Sequence, residues 1–257
     1  MIRRFLITAI VILSSACGGD LRQGNYNNIK VVKVIDGDTV MLSNGKLLRY
    51  IGIDCPEMRI NDGDSFIELP QPYAQAACDF NRKMVEGKSV KVEFDVQKMD
   101  KYGRLLGYCF TNNTLVNARL LEEGLAVLYT YPPNVKYLKV LLESQARARN
   151  KKAGIWSDLK AISPDQAHNY IDQIGTVKGR VLTTYKSAKC TFLNFGRDYK
   201  NDFTVVIFPS SYPYFNRRGI NPEQYYRGRV IEVTGRIRRR NGPEIIVNIP
   251  DEIGVDD

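Results

Sequence analysis

The pattern of apolar and polar positions divides the chain into short β-rich runs with a few helical stretches between them. Residues 29–35 are rich in β-branched side chains and stop at Asp36-Gly37-Asp38, a strong turn signal. Residues 39–42 resume as a strand, Ser43-Asn44-Gly45 turns again, and residues 46–53 make a third strand. Helical spacing begins at Pro72, a residue suited to a first turn. Tyr73, Ala76, Ala77, Phe80 and Met84 then recur on one face until Gly87. Strands return at residues 89–95 and 104–110, and helical stretches follow at 115–123 and 134–152. The order predicts a small barrel with three helices on one side, spanning residues 29–160. A linker at 161–170 leads to a second β-rich block at 171–254, with strands at 175–181, 190–195, 203–208, 229–237 and 244–249. The fold class expected is mainly β with α (α+β), in two small barrels.

The N-terminus is excluded from this fold. Arg3 and Arg4 precede a short apolar run at residues 5–13, and Ser14-Ser15-Ala16 supplies small residues before a cleavage point. The run is too short to span a bilayer, so residues 1–16 read as a signal peptide. Leu-Ser-Ser-Ala-Cys resembles a bacterial lipoprotein signal, although Leu13 lies four residues before the cysteine rather than three. Two readings follow. Either Cys17 is lipidated and holds the protein to a membrane of the cell envelope, with residues 17–28 as a tether, or the chain is secreted or periplasmic.

Among 257 residues, 37 Lys and Arg outnumber 28 Asp and Glu. That excess favours a polyanionic partner, either nucleic acid or an acidic membrane surface. Cys55, Cys78, Cys109 and Cys190 have no zinc-ligand spacing, and the choice between disulfides and buried thiols stays open. His168 is the only histidine and falls in the linker, which excludes Ser/His/Asp and Cys/His nucleophile schemes.

Hydrolysis of a phosphodiester with one hard cation needs carboxylate oxygens to hold the ion and a base or water-orienting group beside it. It also needs cations for the developing charge. Asp38 closes the first turn, Asp54 follows the third strand, and Glu57 lies three residues on. Arg49 comes from that same strand and Arg104 opens a later one. Taken singly, each has a plain structural reading: turn former, loop acid, helix-start acid, or surface strand charge. Asn61-Asp62-Gly63-Asp64 resembles part of a calcium loop but lacks the rest of that pattern, and reads as a solvated loop.

Three blocks carry a more specific resemblance: residues 34–40 (Val-Ile-Asp-Gly-Asp-Thr-Val), 49–57 (Arg-Tyr-Ile-Gly-Ile-Asp-Cys-Pro-Glu) and 100–104 (Asp-Lys-Tyr-Gly-Arg). Val116-Asn117, Leu125-Ala126, residues 129–134 and Gly154-Ile155-Trp156-Ser157 follow in order. Together they resemble the staphylococcal (micrococcal) nuclease family over residues 29–158. The resemblance implies an OB-like five-stranded barrel and Ca²⁺-dependent cleavage of DNA and RNA to 3′-phosphate and 5′-hydroxyl ends. It implies Asp38, Asp54 and the Cys55 carbonyl as Ca²⁺ ligands, Glu57 as general base or water-orienting group, and Arg49 and Arg104 as the phosphate clamp. Lys101 and Tyr102 would meet a terminal phosphate, and Tyr129 and Tyr131 would flank base and sugar. It implies no protein partner. Cys55 stands where the family often has Thr or Ala, a change that a main-chain ligand tolerates.

Residues 175–181 and 226–237 look like strands of a second OB-fold of the nucleic-acid-binding kind, with Phe195, Tyr199, Phe203, Arg227, Arg229, Arg236 and Arg238 to Arg240 as candidate contacts. The alternative is a barrel whose aromatics are core and whose arginines are a solvated edge. For the whole chain the competing function is a non-catalytic, nucleic-acid-binding envelope lipoprotein. Retention of Asp38, Arg49, Asp54, Glu57 and Arg104 together argues for catalysis.

Overall fold

The computed structural model describes residues 25–61 and 66–256. The expected signal peptide, Cys17 and residues 62–64 of the acidic cluster lie outside them. The chain opens with a meander of β1 (Ile29–Val34), β2 (Thr39–Leu42) and β3 (Leu47–Tyr50). The third strand, expected to continue to residue 53, breaks at Ile51. Gly52 takes φ +83°, which a residue with a side chain rarely adopts, and turns the chain into the separate β4 (Gly52–Asp54). A hairpin that sequence reading missed follows, β5 (Arg59–Asn61) with β6 (Phe66–Glu68).

Helix α1 (Ala74–Val85) starts two residues later than expected and buries Ala74, Ala77, Cys78, Asn81 and Val85, leaving Ala76 exposed. Next come β7 (Ser89–Glu93), β8 (Leu105–Thr111), β9 (Thr114–Leu115), α2 (Val116–Glu122) and β10 (Val127–Tyr129). Helices α3 (Leu138–Lys151) and α4 (Ile155–Asp158) end the unit. The α3 helix starts later than its apolar pattern suggested because Asn134 is committed to a turn. Its side chain exchanges two hydrogen bonds, each 2.8 Å, with the Gln97 backbone.

Strand order β3-β2-β1-β7-β8, closed by a parallel β3–β8 pairing, makes the five-stranded barrel. Val31, Val40, Leu42, Leu48 and Leu105 fill it. β4 leaves the barrel to pair with β10, Val127 opposite Asp54.

The stretch expected as a linker holds β11 (Ala161–Ile162) and a 3-10 helix at Pro164–Tyr170, with β11 parallel to β12 (Ile174–Arg180). The chain continues through β13 (Thr183–Lys186), β14 (Thr191–Asn194), β15 (Thr204–Ile207), α5 (Tyr212–Asn216) and α6 (Pro222–Tyr225). It ends with β16 (Val230–Arg236), β17 (Arg238–Arg239), β18 (Pro243–Ile246) and β19 (Ile253–Asp256). Two sheets, β11-β12-β16-β19 and β13-β14-β15-β18-β17, enclose a second core around Val205, Ile207, Phe215 and Ile231. Here too a parallel pair, β15–β18, joins strands from distant parts of the chain, as β3–β8 does in the first barrel. The four cysteines in the described residues are buried free thiols.

The two units meet through one face of β16. Strand periodicity sends Ile231, Val233 and Gly235 inward, so Glu232, Thr234 and Arg236 point the other way. Glu232 and Thr234 meet Arg149 of α3 at 3.3 and 3.5 Å. A second contact lies beside β10. The Thr130 amide and hydroxyl donate to Glu252 at 3.1 and 2.7 Å, and Asn248 donates to the Thr130 carbonyl at 2.8 Å. Ile249 is buried in the first unit's core.

Candidate active site

The β1–β2 turn and the end of β4 place two acids side by side. Asp36 accepts the Asp38 amide at 3.0 Å, an Asx turn that fixes the loop. Gly37 is required by close approach: a Cβ there would lie 2.7 Å from the Cys55 Cβ and 2.8 Å from that of Ala77. Nothing larger allows the turn to sit this low on α1 and on the residue after β4. Asp38 and Asp54 are 3% and 5% exposed. The Asp38 carboxylate accepts the Cys55 amide at 2.9 Å, tying the two loops together.

Arg49, on β3, spans both acids. It is ion-paired with Asp38 and donates to Asp54 Oδ1 at 2.8 Å. Expected as a phosphate clamp, it is here engaged by the carboxylates. Arg104 stands opposite, its Nε 2.7 Å from Asp100, which also accepts the Arg104 and Tyr102 amides at 2.9 Å. Asp100 therefore holds the whole Lys101-Tyr102-Gly103 turn. Tyr102 projects into solvent with the Lys101 and Arg104 cations over its ring. Tyr129 is half-buried and Tyr131 exposed at the far end. Asp38, Arg49, Asp54, Glu57, Asp100, Lys101, Tyr102, Arg104, Tyr129 and Tyr131 all line one open cavity of roughly 780 Å³.

The electrostatics separate the acids. Burial disfavours the Asp54 charge, but Arg236 and then Arg49 outweigh it and hold the carboxyl below its usual range. For Glu57 burial dominates over Arg236, and the carboxyl is pushed above its usual range. One carboxylate is thus kept ionised while its neighbour is tuned toward proton exchange nearer neutrality. Burial also drives the Cys55 thiol well up, so its sulfur is inert and its carbonyl is the useful atom.

Among the described residues no cluster of three or more His, Cys, Asp or Glu side chains converges. The candidate cation set is two carboxylates and one main-chain carbonyl. All are hard oxygens, the donor chemistry of Ca²⁺ or Mg²⁺.

Sequence reasoning missed Arg236 at this site. It was expected on the binding surface of the second barrel, yet it donates to Asp54 Oδ2 at 2.9 Å and to the Cys55 carbonyl at 2.7 Å. Arg238, from the next strand, lies over the Tyr129 ring, and Arg239 also lines the cavity. The second barrel therefore supplies three arginines to the acidic face of the first.

On the second barrel itself the expected aromatic contacts divide. Phe195 and Phe203 are core residues, because the strand period that buries Leu193 also buries Phe195, and Phe203 faces the same interior. Tyr199 is exposed as expected. Together with Tyr185, Phe192, Lys189 and Arg240 it lines a cleft of roughly 690 Å³. Tyr185 and Phe192 stack with ring planes 12° apart. Arg229 instead lies over Tyr225.

A small barrel thus carries paired acids and facing guanidiniums on one open cavity. Comparison with known proteins narrows its class. Residues 47–158 match the family described as staphylococcal nuclease homologue. The chain is 34% identical over 165 residues to the thermonuclease of Staphylococcus hyicus, covering 60% of this chain and 94% of that protein. It is 37% identical over 141 residues to the thermonuclease of Staphylococcus intermedius, covering 53% and 79%. Endonuclease YncB of Bacillus subtilis (strain 168) is 37% identical over 135 residues, covering 51% and 62%. The chain belongs to the staphylococcal nuclease family. It is a nuclease, and its substrate is nucleic acid.

Proposed function

We propose that the chain is an exported endonuclease that uses Ca²⁺ to cleave DNA and RNA to 3′-phosphate and 5′-hydroxyl ends. The observation that supports this best is the convergence of Asp38, Arg49, Asp54, Glu57 and Arg104 on one cavity, reached from four separate segments. Asp38, Asp54 and the Cys55 carbonyl are the groups that would hold the cation. Bound there, a hard cation supplies Lewis-acid compensation for charge on the phosphoryl oxygens.

The chain's own residues account for the rest. Glu57, its proton affinity raised, takes a proton from water. The water oxygen bonds to phosphorus as the bond from phosphorus to the 5′ oxygen breaks, leaving a 3′-phosphate and a 5′-hydroxyl once that oxygen is protonated. Arg104, held in position by Asp100, and Arg49, once released from the acids, bind the phosphoryl oxygens as planar donors that stay charged. Lys101 and Tyr102 receive a neighbouring phosphate, and Tyr129 and Tyr131 flank the base and sugar.

The second barrel binds single-stranded nucleic acid through the Tyr185, Phe192 and Tyr199 cleft, where stacking tolerates any base and Lys189 and Arg240 meet phosphates. Export rests on the sequence of residues 1–17, with Cys17 as the point of lipidation and envelope anchoring.

Digestion of plasmid DNA and of RNA tests the catalytic reading, run with Ca²⁺, with Mg²⁺ and with chelator beside Glu57→Ala. Ca²⁺-dependent cleavage absent from the variant supports it. If wild type shifts nucleic acid on a gel but never cuts it, the chain is a binding module and the site assignment is wrong.

A further inference from the structure

Arg236 is the residue whose surroundings neither barrel explains alone. It ends β16, pointing away from its own barrel's core, and its side chain is only 10% exposed. Every guanidinium nitrogen is used. Nε donates to Asp54 Oδ2 at 2.9 Å, and Nη2 donates to the Cys55 carbonyl at 2.7 Å and stands 3.4 Å from Glu57 Oε1. Nη1 donates to the Asp172 carbonyl at 2.6 Å and to Gln71 Oε1 at 3.3 Å. Gln71 is in turn bonded to the Glu57 amide and to Asp172, so the arginine is held in a prepared cradle.

The oxygens of Asp54 and Cys55 that Arg236 grips are the oxygens a divalent cation needs. A carboxylate oxygen bonded to a guanidinium N–H is not free to ligate an ion along the same direction. Two like charges forced onto these oxygens repel strongly in a partly buried cavity.

We propose that Arg236 is a tethered counter-cation: it and a divalent metal ion are mutually exclusive occupants of the Asp54–Cys55 oxygens. Metal binding displaces the guanidinium, and the second barrel thereby sets the cation concentration at which the nuclease switches on. This rests on the reading of Asp38, Asp54 and the Cys55 carbonyl as the cation ligands. It assigns the C-terminal barrel a part in the active site itself, besides holding substrate.

The test is cation affinity rather than cleavage. Ca²⁺ binding to the full chain is measured by calorimetry, and Tb³⁺ binding by luminescence, for wild type, Arg236→Ala and Arg236→Lys. Asp54→Asn serves as the control that loses a ligand, and the melting temperature of each variant checks folding. Removing the competitor should tighten Ca²⁺ binding by at least about tenfold in Arg236→Ala, with Arg236→Lys between it and wild type. Unchanged or weaker binding in a folded Arg236→Ala overturns the proposal, since Arg236 would then be neutral to the ion or would help arrange its ligands. Should Arg236→Ala fail to fold, Arg236→Lys carries the same comparison. Binding in wild type without tightening in the variants sinks this inference alone; no binding in any variant, Arg236→Ala included, sinks the cation reading as well.

Discussion

Arg236 and Asp54 lie 182 residues apart in the chain and 2.9 Å apart in space, and the other oxygen of the same carboxylate receives Arg49 at 2.8 Å. Asp54 is thus clamped between a guanidinium of its own barrel and one from the barrel that follows. The charge on this aspartate is secured from both sides, while burial raises the proton affinity of the nearby Glu57.

Glu57→Gln is expected to lower cleavage by roughly 10² to 10⁴-fold, the usual worth of a general base, with little change in melting temperature because the side chain is half-exposed. On the proposed general-base reading, the active form is the carboxylate. Since burial raises its pKa, activity in wild type falls as pH drops through a value above the ordinary glutamate range. The kcat/KM profile measures that limb, and the variant's residual activity lacks it.

Gly37→Ala places a methyl group inside van der Waals contact of Cys55 and Ala77. Overpacking of this kind costs about 1–3 kcal/mol. It also lifts the loop bearing Asp38 away from the Cys55 amide. Urea denaturation should show the stability loss, and Ca²⁺ titration should show a weaker site.

Asn117 is fully buried, donating to the Ile51 carbonyl at 2.8 Å and accepting the Cys109 amide at 3.0 Å. It pins the break between β3 and β4 that separates Arg49 from Asp54. Asn117→Ala orphans both backbone groups, at about 1–3 kcal/mol each. The urea midpoint should fall accordingly.

Glu252 carries a prediction about pH. Its carboxyl, buried against Thr130 and Asn248, is pushed up to about 7. The folded chain therefore keeps this proton while the unfolded chain releases it near 4.5. Stability is greatest below that lower value, declines as pH rises to about 7, and is flat beyond, a loss of order 1–3 kcal/mol from this group. Glu252→Gln should remove that slope from the difference between variant and wild-type unfolding curves. A slope that persists in the variant rules Glu252 out as its source.

Combined Tyr185→Ala and Tyr199→Ala removes two exposed aromatics from the second barrel's cleft. Stacking is worth about 1–3 kcal/mol per base, so affinity for a single-stranded oligonucleotide, measured by anisotropy in chelator, should fall at least about tenfold. Cleavage of a dinucleotide too short to reach the cleft should be unaffected.

The residues that converge on the first barrel's cavity were legible as candidates because they sit on local features: an Asp-Gly-Asp turn, the end of a strand, and a Tyr-Gly-Arg turn. The kink at Gly52 was not, because a glycine inside an apolar run gives no sign of its φ. Phe192 was readable in principle, since its neighbour Leu193 is an obvious core residue and strand parity sends Phe192 the other way. Arg236 was beyond sequence reasoning. Parity shows that it leaves its own barrel, but only the packing of β16 on the first unit shows where it arrives. The late start of α3 had the same cause: Asn134 is claimed by Gln97, far off in sequence.

The burial of Ile249 within the first barrel's core has a bearing on how the enzyme matures. A residue of the second unit joins the hydrophobic interior of the unit that carries Asp38, Asp54 and Glu57, and Arg236 is synthesised after all three. During synthesis the nuclease half emerges first, without Ile249 in its core and with Arg49 as the one guanidinium of its own on Asp54. A chain interrupted before that point lacks Ile249 in the first core and the second guanidinium on Asp54.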